Sequence, residues 1–114
     1  MPAPEDRLPE VSRVFGGVRY YLLRIGYEAA PAYDEDLTPE RALQALQRAG
    51  VRIRVSRPGQ YWIAGEDYRK AYLALDVAGN AKWLRQMMVP FWERENPTKA
   101  AEIRDLMVAI HGEA

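Results

Sequence analysis

Arg52, Arg54 and Arg57 fall in a short stretch that runs on to Tyr61-Trp62-Ile63. Guanidinium groups bind phosphate through charge and a planar fork of donors, and an indole stacks on a nucleobase or wedges into a groove. Arg52 and Arg54 alternate, so an extended backbone projects them to one side, and a return strand carrying Trp62 places its ring beside them. Arg48 before the stretch and Lys70 after it are expected as flanking phosphate contacts, with Arg41 and Arg69 nearby. This spacing suits non-covalent chemistry: nucleic acid, DNA or RNA, held by a basic, aromatic-bearing hairpin. The competing reading is an ordinary hairpin with solvated arginines shielded by the Trp62 ring.

A second group lies further on. Trp83, Leu84, Met87, Met88, Phe91 and Trp92 wrap more than one face of a helix. Methionine and tryptophan suit partner surfaces, so Trp83, Met87, Met88, Phe91 and Trp92 are candidates for a protein interface, with homo-oligomer formation among the options. The competing reading is that the final helix, with Ile103 and Met107, covers them.

Catalytic chemistry has little to work with. The sole histidine, His111, is expected in the last turn of the last helix, where a cation is favoured by the dipole. No second histidine exists to share a metal, and no cysteine exists to serve as thiolate ligand or nucleophile. Glu28, Asp34, Glu35 and Asp36 match no calcium-loop spacing. Ser12 and Ser56 lie in no nucleophile-elbow setting, and Gly16-Gly17 follows no strand and precedes no helix, unlike a phosphate cradle. The expectation is a non-enzymatic binding protein without cofactor or metal.

The elements that would position these groups are marked by local signals. Thr38-Pro39 opens a helix, Ala42, Leu43, Ala45, Leu46 and Ala49 form its apolar side, and Gly50 stops it. Val51, Ile53 and Val55 then alternate with Arg52 and Arg54, and Arg57-Pro58-Gly59-Gln60 has the Pro-Gly centre of a type II turn. After Ala64-Gly65, the acids Glu66-Asp67 suit a helix first turn, and Tyr68, Ala71, Tyr72 and Leu75 form a stripe ending near Gly79. Upstream, Gly16-Gly17 is a turn and Val18 to Tyr27 a strand; Glu28 to Leu37 is a loop. Downstream, Asn80 is placed to cap a helix that Pro90 should kink or end, and a last helix starts near Asn96-Pro97 with Ile103, Leu106, Met107 and Ile110 as its stripe.

This pattern predicts an α+β fold: a small three-stranded antiparallel or mixed sheet (β-α-β-β-α) followed by a C-terminal helical hairpin. Residues 1–12, with Pro2, Pro4 and Pro9, are expected as a flexible N-terminal tail and 13–114 as a single domain. The first five elements resemble a ferredoxin-like split unit lacking its last strand, a matter of architecture and not of function. The hairpin with Asp67-Tyr68-Arg69-Lys70-Ala71-Tyr72 resembles the wing and following helix of excisionase-type DNA-binding proteins. Gly50 runs straight into the hairpin, however, leaving no room for a recognition helix, so that family is not assigned. The run Phe91-Trp92-Glu93-Arg94-Glu95-Asn96-Pro97 is similar to a stretch in small phage tail-assembly chaperones, and no residue role is carried over from it.

A chain of 114 residues buries roughly two-thirds of its unfolded surface, enough for one core. No stretch approaches the roughly 18 apolar residues of a spanning helix, so no membrane partner is expected; a cytoplasmic location fits the lack of cysteine. With 16 basic and 16 acidic residues the formal net charge is zero, which argues against a protein that coats nucleic acid over its whole surface. The charge is uneven: residues 40–70 hold seven basic groups against three acids.

Overall fold

Two hairpins build one curled four-stranded antiparallel sheet in the computed structural model, which describes residues 3–25 and 37–112. The first joins β1 (Ser12–Phe15) to β2 (Val18–Arg24) through Gly16 and Gly17, at φ +57° and +78°. Positive φ at both central residues matches a hairpin turn to the right-handed twist of its strands. The second joins β3 (Ile53–Arg57) to β4 (Gln60–Ala64) through Pro58 and Gly59, with Gly59 at φ +83° as a type II turn requires.

The strand order is β1-β2-β4-β3, so the expected three-stranded sheet has a fourth member, β1. Because β2 and β3 both run antiparallel to β4, they share a direction across the crossover that contains α1 (Pro39–Ala49). That is the split arrangement read from the sequence, and β1 fills from the N-terminal end the edge that a last strand would occupy. Four residues behind a proline-rich opening leave little alternation to read, which is why β1 escaped.

The helical layer is built around α2 (Tyr68–Gly79), which packs against α1 and α5 (Pro97–His111). Thr38 Oγ1 accepts the Arg41 amide at 3.2 Å, and Gly50 closes α1 in the left-handed region at φ +76°. Ala42, Ala45, Leu46 and Ala49 are buried as the pattern required, with Leu43 half-buried beside them. On α5, Ile103, Leu106, Met107 and Ile110 are buried in one stripe, and Asn96 Oδ1 caps the helix by accepting the Lys99 amide. No described helix is long and apolar enough to cross a membrane.

The C-terminal region differs from a simple helical hairpin. Its first arm is a run of α3 (Ala81–Trp83), a π turn (Leu84–Met88) and α4 (Val89–Glu95). Pro90 neither ends nor interrupts this run. In a regular helix its ring would press on the carbonyl of Gln86; the turn widens instead, with the Val89 amide reaching back to Leu84 O. Asn80 does not cap through its side chain, which is buried and donates to Asp76 Oδ1 at 2.6 Å.

Within the stretch expected as a tail, Pro4–Asp6 forms a single 3-10 turn packed on α2. Glu5 is only 4% exposed and accepts from Lys99 Nζ at 2.7 Å, while that ammonium lies 4.1 Å from the centre of the Trp92 ring. Arg69 spans Asp6 and Glu102, meeting the latter through two bonds of 3.0 and 2.9 Å.

Candidate functional site

Alternation along the sheet decides which aromatic faces which way. Leu23, Tyr61 and Ile63 point into the helical core, whereas Leu22 and Trp62, paired across β2 and β4, point to the other face. Arg54 is directly opposite Trp62, and Arg13 is opposite Tyr20. The curl of the sheet brings Phe15 within 6.3 Å of Trp62 and 5.4 Å of Tyr20, edge to face in both cases. Two arginines then close the cluster. The Arg13 guanidinium lies 5.1 Å from the Trp62 ring centre, and that of Arg54 lies 4.7 Å from Phe15 and 5.8 Å from Tyr20.

Trp62 is therefore 6% exposed, a foundation and not a stacking platform. Any base stacking here must displace Arg13 or meet the edges of Phe15 and Tyr20. Arg54 and Arg13 remain exposed and form no ion pair among the described residues, so their outward donors are available.

The other basic residues of the expected cluster go elsewhere. Arg52 is tied down locally, with Nε 3.0 Å from Asp67 Oδ2 and Nη2 3.2 Å from Glu66 Oε2; its backbone amide adds a 2.9 Å bond to Asp67. Partial burial pushes the Asp67 carboxyl up, but the Arg52 amide and guanidinium outweigh it and hold the group below the usual carboxylate range. Arg57 stands exposed at the hairpin turn. Arg48 donates to the carbonyl of Ile110 at 2.8 Å, and Lys70 lies exposed beside Glu102 and Asp105 on the helical layer. Arg41 reaches the carbonyl of Ala78. The six residues grouped by sequence thus divide between the sheet's outer face, the turn and the helices.

The α3–π–α4 run separates its apolar side chains differently. Leu84 and Val89 are buried, and Met88 and Trp92 pack half-buried against the core. Trp83, Met87 and Phe91 face out at 42, 61 and 38% exposure. A π turn advances less per residue than an α turn, so side chains four apart across it stay nearly in line. The result is one bare row of three large apolar groups, with the Phe91 ring braced 4.8 Å from Trp92.

His111 lies in the last turn of α5, as expected, and its Nε2 donates across to the Val77 carbonyl of α2 at 3.0 Å. Ser12 Oγ accepts from Arg19 at 2.8 Å, and neither serine lies in a bonded pair with histidine. Burial, with some help from Tyr72, pushes the Tyr68 hydroxyl up to about 12, too high for a base near neutrality. Glu28, Asp34, Glu35 and Asp36 lie outside the described residues; within these, no cluster of acids and histidine could hold a metal ion.

Arg13, Phe15 and Tyr20 were missed as partners of Arg54 and Trp62. The Gly16-Gly17 turn was their one local hint, since the four residues Ser12–Phe15 before it carry too little alternation to declare a strand. No family model, curated protein or solved structure matches the chain.

Proposed function

We propose that this protein works without catalysis, by binding another protein through the row Trp83–Met87–Phe91. The observation that carries this reading is the alignment of the three side chains on a helix whose other apolar groups are buried or half-buried against the core. Exposed tryptophan, phenylalanine and methionine in one contiguous row match the composition of interface centres, where a few large side chains supply most of the binding energy. Burying them removes apolar surface from water at roughly 25 cal/mol per Å2, and the free chain forgoes that gain.

The test is capture from nuclease-treated native extract by the tagged chain and its Met87→Glu variant. Met87 is exposed, so the variant is expected to fold as the parent does. The expected result is a bound protein that is lost, by roughly 100-fold in affinity, in Met87→Glu. Equal capture by both chains overturns the reading.

A second reading has its own support. Arg13 and Arg54, which form no ion pair among the described residues and are set among Phe15 and Tyr20 on the face turned away from the helical core, suit phosphate contacts to a nucleic acid, with Arg57 at the turn as a third. It predicts retention on heparin and steep loss of affinity with salt, both abolished by Arg13→Ala with Arg54→Ala and untouched by Met87→Glu.

A further inference from the structure

We infer that the row Trp83–Met87–Phe91 is covered by a second copy of this chain, helix against helix and antiparallel, about a two-fold axis through Met87. This rests on the protein-binding reading above and names its partner. The row is symmetric about its middle: Trp83 and Phe91 each lie four residues from Met87. A two-fold axis at Met87 therefore sets Met87 on the partner's Met87, and Trp83 on the partner's Phe91, at both ends of the contact. Closed two-fold dimers need such a self-complementary patch, because each surface must serve as its own partner.

The charges fit the same operation. Glu95 continues the line one step beyond Phe91, and Lys82 adjoins Trp83 at the other end; both are exposed. Antiparallel packing brings Lys82 of one copy near the partner's Glu95, twice per dimer. A parallel arrangement would instead set like charges together and align the helix dipoles. At ~1.5 Å per residue the run from Ala81 to Glu95 is roughly 22 Å long, enough for these contacts along one crossing. Exposed Gln86 and Pro90 flank the row as a rim. Three side chains a copy fall short of the roughly 800 Å2 per partner of a tight complex, so the dimer forms at a dissociation constant on the order of micromolar.

The chain has no cysteine, which makes the axis directly testable. A residue on a two-fold axis can cross-link to its own copy. Under mild oxidation Met87→Cys is expected to form a disulfide dimer. Trp83→Cys and Phe91→Cys should each cross-link poorly alone and readily when mixed, and exposed Val108→Cys should not cross-link. In parallel, the mean mass of the unmodified chain should rise from 13.0 kDa toward twice that value between ~1 and ~500 μM. Lys82→Glu should weaken the dimer roughly 3- to 10-fold, and adding Glu95→Lys should restore it. A mass that stays monomeric throughout, or cross-linking at position 87 no faster than at 108, overturns the dimer. If Met87→Glu then still abolishes capture of a different protein, the binding reading survives without its proposed partner; if capture is also unchanged, both fall.

Discussion

Two tryptophans, twenty-one residues apart, occupy opposite physical situations. Trp62 lies on the sheet with Arg13 over its ring and Phe15 at its edge, and is almost wholly buried; Trp83 stands on a helix with nearly half its surface in water. The sheet region has several arginines, and two of them, Arg13 and Arg54, close its aromatics. The α3–π–α4 run carries Lys82, Arg85, Glu93, Arg94 and Glu95, yet Trp83 and Phe91 still stand exposed. An arginine beside an aromatic in sequence is thus as much a lid as a ligand-binding group, and the apolar row free of such lids carries the stronger case for an interface.

The sharpest test of that contrast is a pair of alanine substitutions followed by urea denaturation. Trp62→Ala removes a buried indole and leaves Arg13 and Phe15 without their support, so a loss of about 3–5 kcal/mol is expected. Trp83→Ala removes a side chain that already contacts water and should cost no more than about 1 kcal/mol at concentrations where the chain is monomeric. Similar losses for the two would break the distinction between foundation and free surface.

A smaller effect is expected at Lys99, whose ammonium is shared between the buried Glu5 carboxylate and the Trp92 ring. Lys99→Met keeps most of the packing but leaves the nearly dry Glu5 carboxylate with only the more distant Arg69 guanidinium, at 3.7 Å. Breaking a rigid buried pair costs about 3–5 kcal/mol, yet Glu5 belongs to a single 3-10 turn near the chain start that can swing into water. The expected loss is about 1–2 kcal/mol. Adding Glu5→Gln to Lys99→Met should recover most of it, measured as the return of the urea midpoint.

Elements set by local stereochemistry were legible in the sequence. Thr38-Pro39 and Gly50 bound α1, and Pro58-Gly59 turns the second hairpin, because caps and turns are decided by a few neighbouring residues. The stripe on α5 was legible from its period alone. What could not be read depended on partners. The strand β1 is stable only as an edge beside β2, and four residues carry too little alternation to declare it. The π turn is a compromise between Pro90, whose demand on the Gln86 carbonyl is local, and the packing of Leu84 and Val89, which is not. On the sheet, the direction of each guanidinium follows from its nearest partner: Arg54 finds Phe15 and Tyr20 from another hairpin, whereas Arg52 finds Glu66 and Asp67 at the entrance to α2. Those two acids had been explained by the helix dipole, which hid their second role.

The smallest expected effect separates those two arginines by pH. Arg52 and Asp67 form an ion pair, and the folded-state pKa of Asp67 lies below its ordinary value. A depressed carboxylate pKa contributes stability that is fully present above the unfolded value of ~3.9 and disappears as pH falls through the folded one. Arg52→Ala should therefore lower the melting temperature at pH 7 and converge with the parent chain as the solution is acidified below pH ~4. Arg54 is held by aromatic faces that do not titrate in this range, so Arg54→Ala should cost about 0.5–1 kcal/mol at pH 7 and keep a constant offset on acidification. Melting curves for the parent and both variants across pH 2.5 to 7 provide the comparison. Convergence of the Arg54 variant, or a constant offset for the Arg52 variant, would show that the two guanidinium groups are held by forces other than those their neighbours indicate.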